Sequence, residues 1–221
     1  MRGKKVLYNT KEPSNAAEST SNARLPGTER REQLLEIALE LFSANGYLQT
    51  SVEDIADKAG VTKPIIYQHF DSKKALYMEL LEHVGAQLLL AINQATSVAK
   101  TPRSQVESGF NAYFHYVSEH EDAFYLLFGT GGRRDDEFSE VAHKVEETMA
   151  QAVAALIEAG ISPQHRLMLA YGIVGLAEST SRHWLTARAS ESQGTLPADP
   201  NVLARWVGEI AWGGLRGITK D

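Results

Sequence analysis

Between residues 50 and 73, the stretch TSVEDIADKAGVTKPIIYQHFDSK gathers hydroxyl, ammonium, amide and phenol groups. None of them stands in the nucleophile–base or metal-ligand spacing that covalent chemistry needs. Their types suit non-covalent recognition of a phosphate-rich polymer. Lys63, Lys73 and Lys74 offer point charges for phosphates, and Tyr67 offers its hydroxyl to the same groups. Thr50 or Ser51, at a helix N-terminus, can bond a phosphate with support from the helix dipole. Gln68 and Thr62 can read base edges, and Pro64 and Ile65 can touch thymine methyls. This is the chemistry of reading double-stranded DNA.

Such side chains work only if the backbone presents them on one face. Thr50 and Glu53 have capping-box spacing, which predicts the start of a short helix. Val52, Ile55, Ala56 and Ala59 line one side of it. Gly60 sits where a tight inter-helix turn needs positive φ, and Val61 can plug the corner. Thr62 is a natural N-cap for the next helix, with Pro64 in its first turn. Ile66 and Phe70 return one side to the core, leaving Thr62, Lys63, Ile65, Tyr67, Gln68 and His69 to face outward. A short helix bracing a second one, whose N-terminal part enters the major groove, is a helix-turn-helix. Two capped helices in an ordinary helical core would share some of these features.

The order of cap, apolar triad, glycine turn, cap, proline and aromatic carries the reading further. Residues 30–76 resemble the DNA-binding region of TetR-family regulators. The likeness rests on Phe42, Gly46 and Tyr47, on Ile55–Ala56 and Ala59–Gly60–Val61, on Tyr67–Gln68–His69–Phe70, and on Lys73. It implies a homodimer on a palindromic operator, with a C-terminal helical domain that binds an effector. By family position Thr50, Ser51, Lys63, Tyr67, His69 and Lys73 would contact DNA. Ile65 stands where many relatives carry a small residue, which bears on operator sequence rather than function class. Arg24, Arg30 and Arg31 could add backbone or minor-groove contacts; a solvated tail accounts for them equally well.

The rest of the chain is helical in pattern, with no alternating run long enough for a sheet. The reading is all-α, about nine helices. It comprises a flexible tail over 1–25, a three-helix DNA-binding domain over 26–72, and a helical bundle for effector binding and dimerisation over 73–221. Asp71 is a plausible cap for a long helix to about residue 97. Pro102 opens the next, to about His120. A short apolar segment, Ala123 to Phe128, ends at the loop GTGGRR. Asp135 and Asp136 start a helix that Gly160 closes. Ser162–Pro163 opens one to about Arg188, and Asp199–Pro200 opens the last, ending near Gly213 and Gly214.

Residues 106–128 are rich in aromatics. Phe110, Tyr113, Phe114, Val117, Phe124 and Phe128, with Leu88, Ile92 and Val174, could line an apolar effector cavity; plain core packing explains them too. Leu167, Ala170 and Ile173, with Trp206 and Ile210, form a stripe suited to a dimer bundle, and Gly172 and Gly175 permit close approach. Core packing would produce the same stripe. The segments GFNAYFHYVSEHEDAFYLLF, IVGLAESTSRHWL and IAWGGL, together with RLPGTERREQLL, resemble actinobacterial fatty-acid-synthesis regulators of this family. That resemblance implies a small apolar effector such as a long-chain acyl-CoA. The loop Gly129–Arg134 departs from their pattern.

Composition narrows the alternatives. With no cysteine among 221 residues, disulfides and thiolate metal sites are excluded. No cofactor is expected. No apolar run approaching ~20 residues is evident, which points away from a membrane and towards the cytoplasm. The formal net charge of −6 is unevenly spread. The first 31 residues hold Arg2, Lys4, Lys5, Lys11, Arg24, Arg30 and Arg31 against Glu12, Glu18 and Glu29. Local phosphate contacts govern DNA affinity, so an acidic remainder argues only against indiscriminate binding. An enzyme is the first rival. His115, His120, His143, His165 and His183 form no metalloprotease-type pair, and GTGGRR lacks the Walker lysine and hydroxyl. The second rival is a regulator that has lost its ligand.

Overall fold

The computed structural model describes residues 26–128, 136–189 and 196–218, with the side chains of residues 136 and 137 left aside. The expected tail over 1–25, Arg24 and the loop Gly129–Arg134 lie outside the described residues. Among the described residues there are nine helices and no strand. They are α1 (Gly27–Asn45), α2 (Val52–Lys58), α3 (Lys63–His69), α4 (Lys73–Ser97), α5 (Pro102–Glu119), α6 (Glu121–Phe128), α7 (Asp136–Leu156), α8 (Pro163–Ala189) and α9 (Pro200–Leu215).

The first three helices form the N-terminal unit. Leu34, Leu35, Ala38 and Phe42 of α1 are buried with Val52, Ile55 and Ala56 of α2 and Ile66 of α3. Gly46 and Gly60 take positive φ, +78° and +64°, where they end α1 and turn α2 into α3. A side chain at Gly60 would meet nothing within 4 Å, so its conformation alone demands glycine there.

Two caps, those of α2 and α4, fall one residue later than the sequence spacing suggests. The capping box of α2 is Ser51–Asp54 rather than Thr50–Glu53. Ser51 Oγ accepts from Asp54 N at 3.1 Å, and Asp54 Oδ2 accepts from Ser51 N at 2.8 Å. These bonds hold the Asp54 carboxyl below its ordinary pKa. Likewise Ser72, which directly precedes α4, accepts from Ala75 N in place of Asp71. Helix α7 stops at Leu156 rather than running to Gly160. Ile157 and Ile161, at the two ends of the segment that follows, are both buried.

In the C-terminal bundle α5 is the central helix, packed on α4 and α9, while α7 pairs with α8. Asn111 and His115 of α5 both reach Asn201 Oδ1 at the start of α9. By length and composition α4 is long and apolar enough to pass for a membrane span, contrary to the expectation that no apolar run approaches ~20 residues. Its apolar side is spent on the core instead, from Leu76 and Leu80 through Val84 to Leu88 and Ile92.

The two units meet at an aromatic joint. Phe138 of α7 lies 4.6 Å from both Tyr47, after α1, and Tyr77 of α4; Phe42 packs edge-on to Tyr77 at 5.0 Å. Helix α6 also rests on α1. The recognition unit is therefore seated directly on the bundle.

Candidate nucleic-acid interface and cavity

Helix α3 presents Thr62, Lys63, Pro64, Tyr67 and Gln68 to solvent, and Ile66 and Phe70 to the core. Tyr67 is 48% exposed, a large aromatic turned to solvent. Thr62 is the N-cap residue, yet its hydroxyl makes no capping bond. Ile65 and His69 are half-buried at the flanks of this face.

Three expected contacts sit differently. Thr50 is buried, 1% exposed, and its hydroxyl donates to Leu41 O at 3.1 Å and Gly46 O at 2.9 Å. It ties the α1–α2 connection together and is not free for a phosphate, which corrects its assignment. Ser51 is exposed, but its hydroxyl donates to Asp54 Oδ2 at 2.7 Å. Lys73 is half-buried with Nζ 4.3 Å above the Tyr47 ring, and that burial pushes its pKa down, partly opposed by the Asp54 charge.

Several cations of the unit are already paired, within it or across to α4. Arg31 pairs with Glu79 and lies 4.7 Å from the Phe70 ring, and Lys58 pairs with Glu40. Lys63 Nζ reaches Glu53 Oε2 at 2.8 Å.

A cavity of about 430 Å³ opens in the bundle. It is lined by the end of α4 (Ile92, Thr96), the start of α5 (Val106, Phe110, Tyr113), and the second half of α7 (Met149, Val153, Leu156). The segment Ile157–Ile161, the middle of α8 (Ile173, Val174, Ala177) and the end of α9 (Trp212, Leu215) complete it, with Arg216 beyond. Most of these are apolar. Gln105, Tyr113, Glu158 and Arg216 supply polar groups, while the Thr96 hydroxyl is already donated to Ile92 O. Ile92 lies 19 residues along α4 from Lys73, about 28 Å at helical rise, so the cavity is remote from α3.

Of the expected lining, Ile92, Phe110, Tyr113 and Val174 fall on this cavity. Leu88, Phe114, Val117, Phe124 and Phe128 do not; they are buried core. Phe114 lies edge-on to Tyr113 and to Trp184, and Phe124 packs on Phe128 at 5.3 Å. Helical turns that place Phe110 on the cavity carry Phe114 and Val117 onward to other neighbours. The contribution of α7 went unforeseen, although Val145, Met149, Val153 and Leu156 repeat at helical spacing in its sequence.

The expected dimer stripe also divides. Ala170 is fully buried and Ile173 lines the cavity, because the side of α8 that bears them packs inward. Leu167 is half-buried. Trp206 and Ile210 are exposed at 45% and 65%, and Met168, outside the expected stripe, is 69% exposed. Gly172 and Gly175 are exposed too, and a Cβ at either would meet nothing within 4 Å.

A glycine-cornered helix pair with its second helix bared, seated on a hollow helical bundle, defines a helix-turn-helix regulator with a ligand-sized chamber. Comparison with known proteins agrees. Residues 34–80 match the family described as bacterial regulatory proteins, tetR family, and residues 102–213 match the tetracyclin repressor-like C-terminal domain. The chain belongs to the TetR family and is a DNA-binding transcriptional regulator, not an enzyme.

Among its relatives, the HTH-type transcriptional activator FasR of Mycolicibacterium smegmatis is 30% identical over 194 residues, covering 87% of this chain and 85% of that one. The HTH-type transcriptional repressor KstR2 of the same organism is 31% identical over 105 residues, 48% of this chain and 51% of that repressor. In fold, the chain is similar to the transcriptional regulator FadR from Bacillus subtilis, solved in complex with stearoyl-CoA. That likeness has a TM-score of 0.68 and 17% identity, covering 85% and 99% of the two chains.

Proposed function

We propose that this regulator acts in the cytoplasm as a homodimer on a palindromic operator. Residues 26–72 read the DNA, and residues 73–221 bind a long apolar effector of the acyl-CoA class that changes DNA affinity. The apolar chamber of about 430 Å³ is the observation that carries the effector reading. Its size falls within the range of small-molecule sites, and its lining suits an acyl chain. Arg216, at its edge, offers charge to a polar headgroup. The stearoyl-CoA bound by the FadR neighbour and the name of the FasR relative support the same class.

Dimerisation is supported by the outer faces of α8 and α9, where Met168, Trp206 and Ile210 expose apolar surface beside Gly172 and Gly175. A second copy would cover that surface and leave a recognition helix on each subunit. On α3, Thr62, Lys63, Pro64, Tyr67 and Gln68 face outward as groove contacts, with Ile65 and His69 at the edges and Ser51 and Lys73 near the backbone.

The test is operator binding by fluorescence anisotropy, on a duplex selected from a random pool and titrated with acyl-CoAs of increasing chain length. Operator affinity should change at micromolar ligand, and more strongly for the longer chains. Intact operator binding that ignores every acyl-CoA would remove the effector assignment while leaving the DNA-binding face in place.

A further inference from the structure

Helix α3 carries a single lysine, Lys63, and the structure does not leave it free. Its Nζ lies 2.8 Å from Glu53 Oε2, across the corner between α2 and α3. Both side chains stand in solvent, 46% exposed for Lys63 and 67% for Glu53. The bond and charge from Glu53 raise the Lys63 pKa. An exposed pair of this kind contributes little to stability. Its placement matters more than its strength, because the other outward residues of α3 (Pro64, Tyr67 and Gln68) are uncharged.

We infer that Glu53 is an affinity-attenuating residue of the DNA-binding face, acting by cancelling the charge that Lys63 would otherwise present to any duplex. The inference rests on the reading of α3 as the groove-facing helix. Every duplex offers about one negative charge per 1.7 Å of axis whatever its sequence, and attraction to it follows the net positive charge of the docking face. A lysine cancelled by a neighbouring carboxylate forfeits that attraction. When Lys63 turns to a phosphate, Glu53 is left facing a polyanion. The device therefore weakens binding to all DNA, whatever its sequence, by a repulsive element beside the single lysine of α3.

The full chain is compared with Glu53→Gln, Lys63→Gln and the double variant. Binding to a random-sequence duplex and to a duplex selected on the wild type is followed by anisotropy at several salt concentrations. Circular dichroism checks that helix content is unchanged.

Glu53→Gln should tighten random-duplex binding by about fivefold, and steepen the log affinity against log salt plot by about 0.9 per engaged subunit. The selected duplex should gain at least as much, because Lys63 must leave Glu53 to engage its phosphates in the seated complex. Lys63→Gln should weaken both duplexes, and the double variant should return to within about twofold of wild type on random DNA. Unchanged affinity and slope in Glu53→Gln would overturn the inference. So would weakened binding to the selected duplex with altered preference at one base pair, since Glu53 would then be accepting from a cytosine amine. If the wild type itself binds neither duplex, the groove-facing reading of α3 falls first and takes this inference with it.

Discussion

The recognition unit and the cavity are built by opposite means. Residues 50–70 form a contiguous stretch in which each feature is decided within a few positions: a cap, an apolar triad, Gly60 at φ +64°, a proline in the first turn. The cavity draws on α4, α5, α7, α8 and α9, from Ile92 to Ile218, and no short segment contains its design. A local structure can be read from local chemistry. A hollow between five helices depends on which side of each helix meets which neighbour, and several rotations about the helix axes satisfy the same apolar pattern.

Phe114 gives the largest test of that contrast. From sequence it belongs with the chamber; in the structure it is 0% exposed, wedged between Tyr113 and Trp184. Phe114→Ala should cost about 3–5 kcal/mol in denaturant unfolding, as truncation of a core aromatic does. A variant of near wild-type stability whose effector response is altered would put Phe114 back on the chamber wall and move the boundary between core and cavity.

The fold class, the helix pair and its outward side were legible because periodicity, glycine and proline act at short range. Errors of one residue arose where two neighbouring side chains compete for one role. Thr50 and Ser51 both suit a cap, as do Asp71 and Ser72, and only the path of the preceding chain decides between them. The same limit hid Ala170 and Ile173. An apolar stripe on α8 announces that something covers it, but not whether the cover is the same subunit or another. Met149 and Val153 were readable as one side of a helix, yet nothing in α7 names α5 and α8 as its partners across the cavity.

Thr50 offers a smaller effect inside the recognition unit. Its buried hydroxyl serves Leu41 O and Gly46 O, so Thr50→Val should lower stability by about 1 kcal/mol for bonds lost with the shape kept. Thr50→Ser, which keeps the hydroxyl, should retain more of that bonding. DNA affinity of the folded Thr50→Val protein should stay near wild type. If affinity falls while unfolding is unchanged, the Thr50 hydroxyl serves a phosphate rather than the α1–α2 connection.

Val153 gives the smallest stability effect and the sharpest functional one. In a filled core, adding the bulk of a phenyl ring costs about 1–3 kcal/mol. Val153 borders open space, so Val153→Phe can grow into the chamber and should unfold within about 1 kcal/mol of wild type. The volume it takes is volume an acyl chain needs. Operator binding should persist while the response to long-chain acyl-CoA is lost, as read by anisotropy and by the disappearance of ligand-induced thermal stabilisation. A destabilised Val153→Phe would mean that the hollow is closed in solution. A stable variant with full response to long chains would place the effector elsewhere in the bundle. Either result would separate the two regions differently, because the recognition helix can be right while the chamber is not.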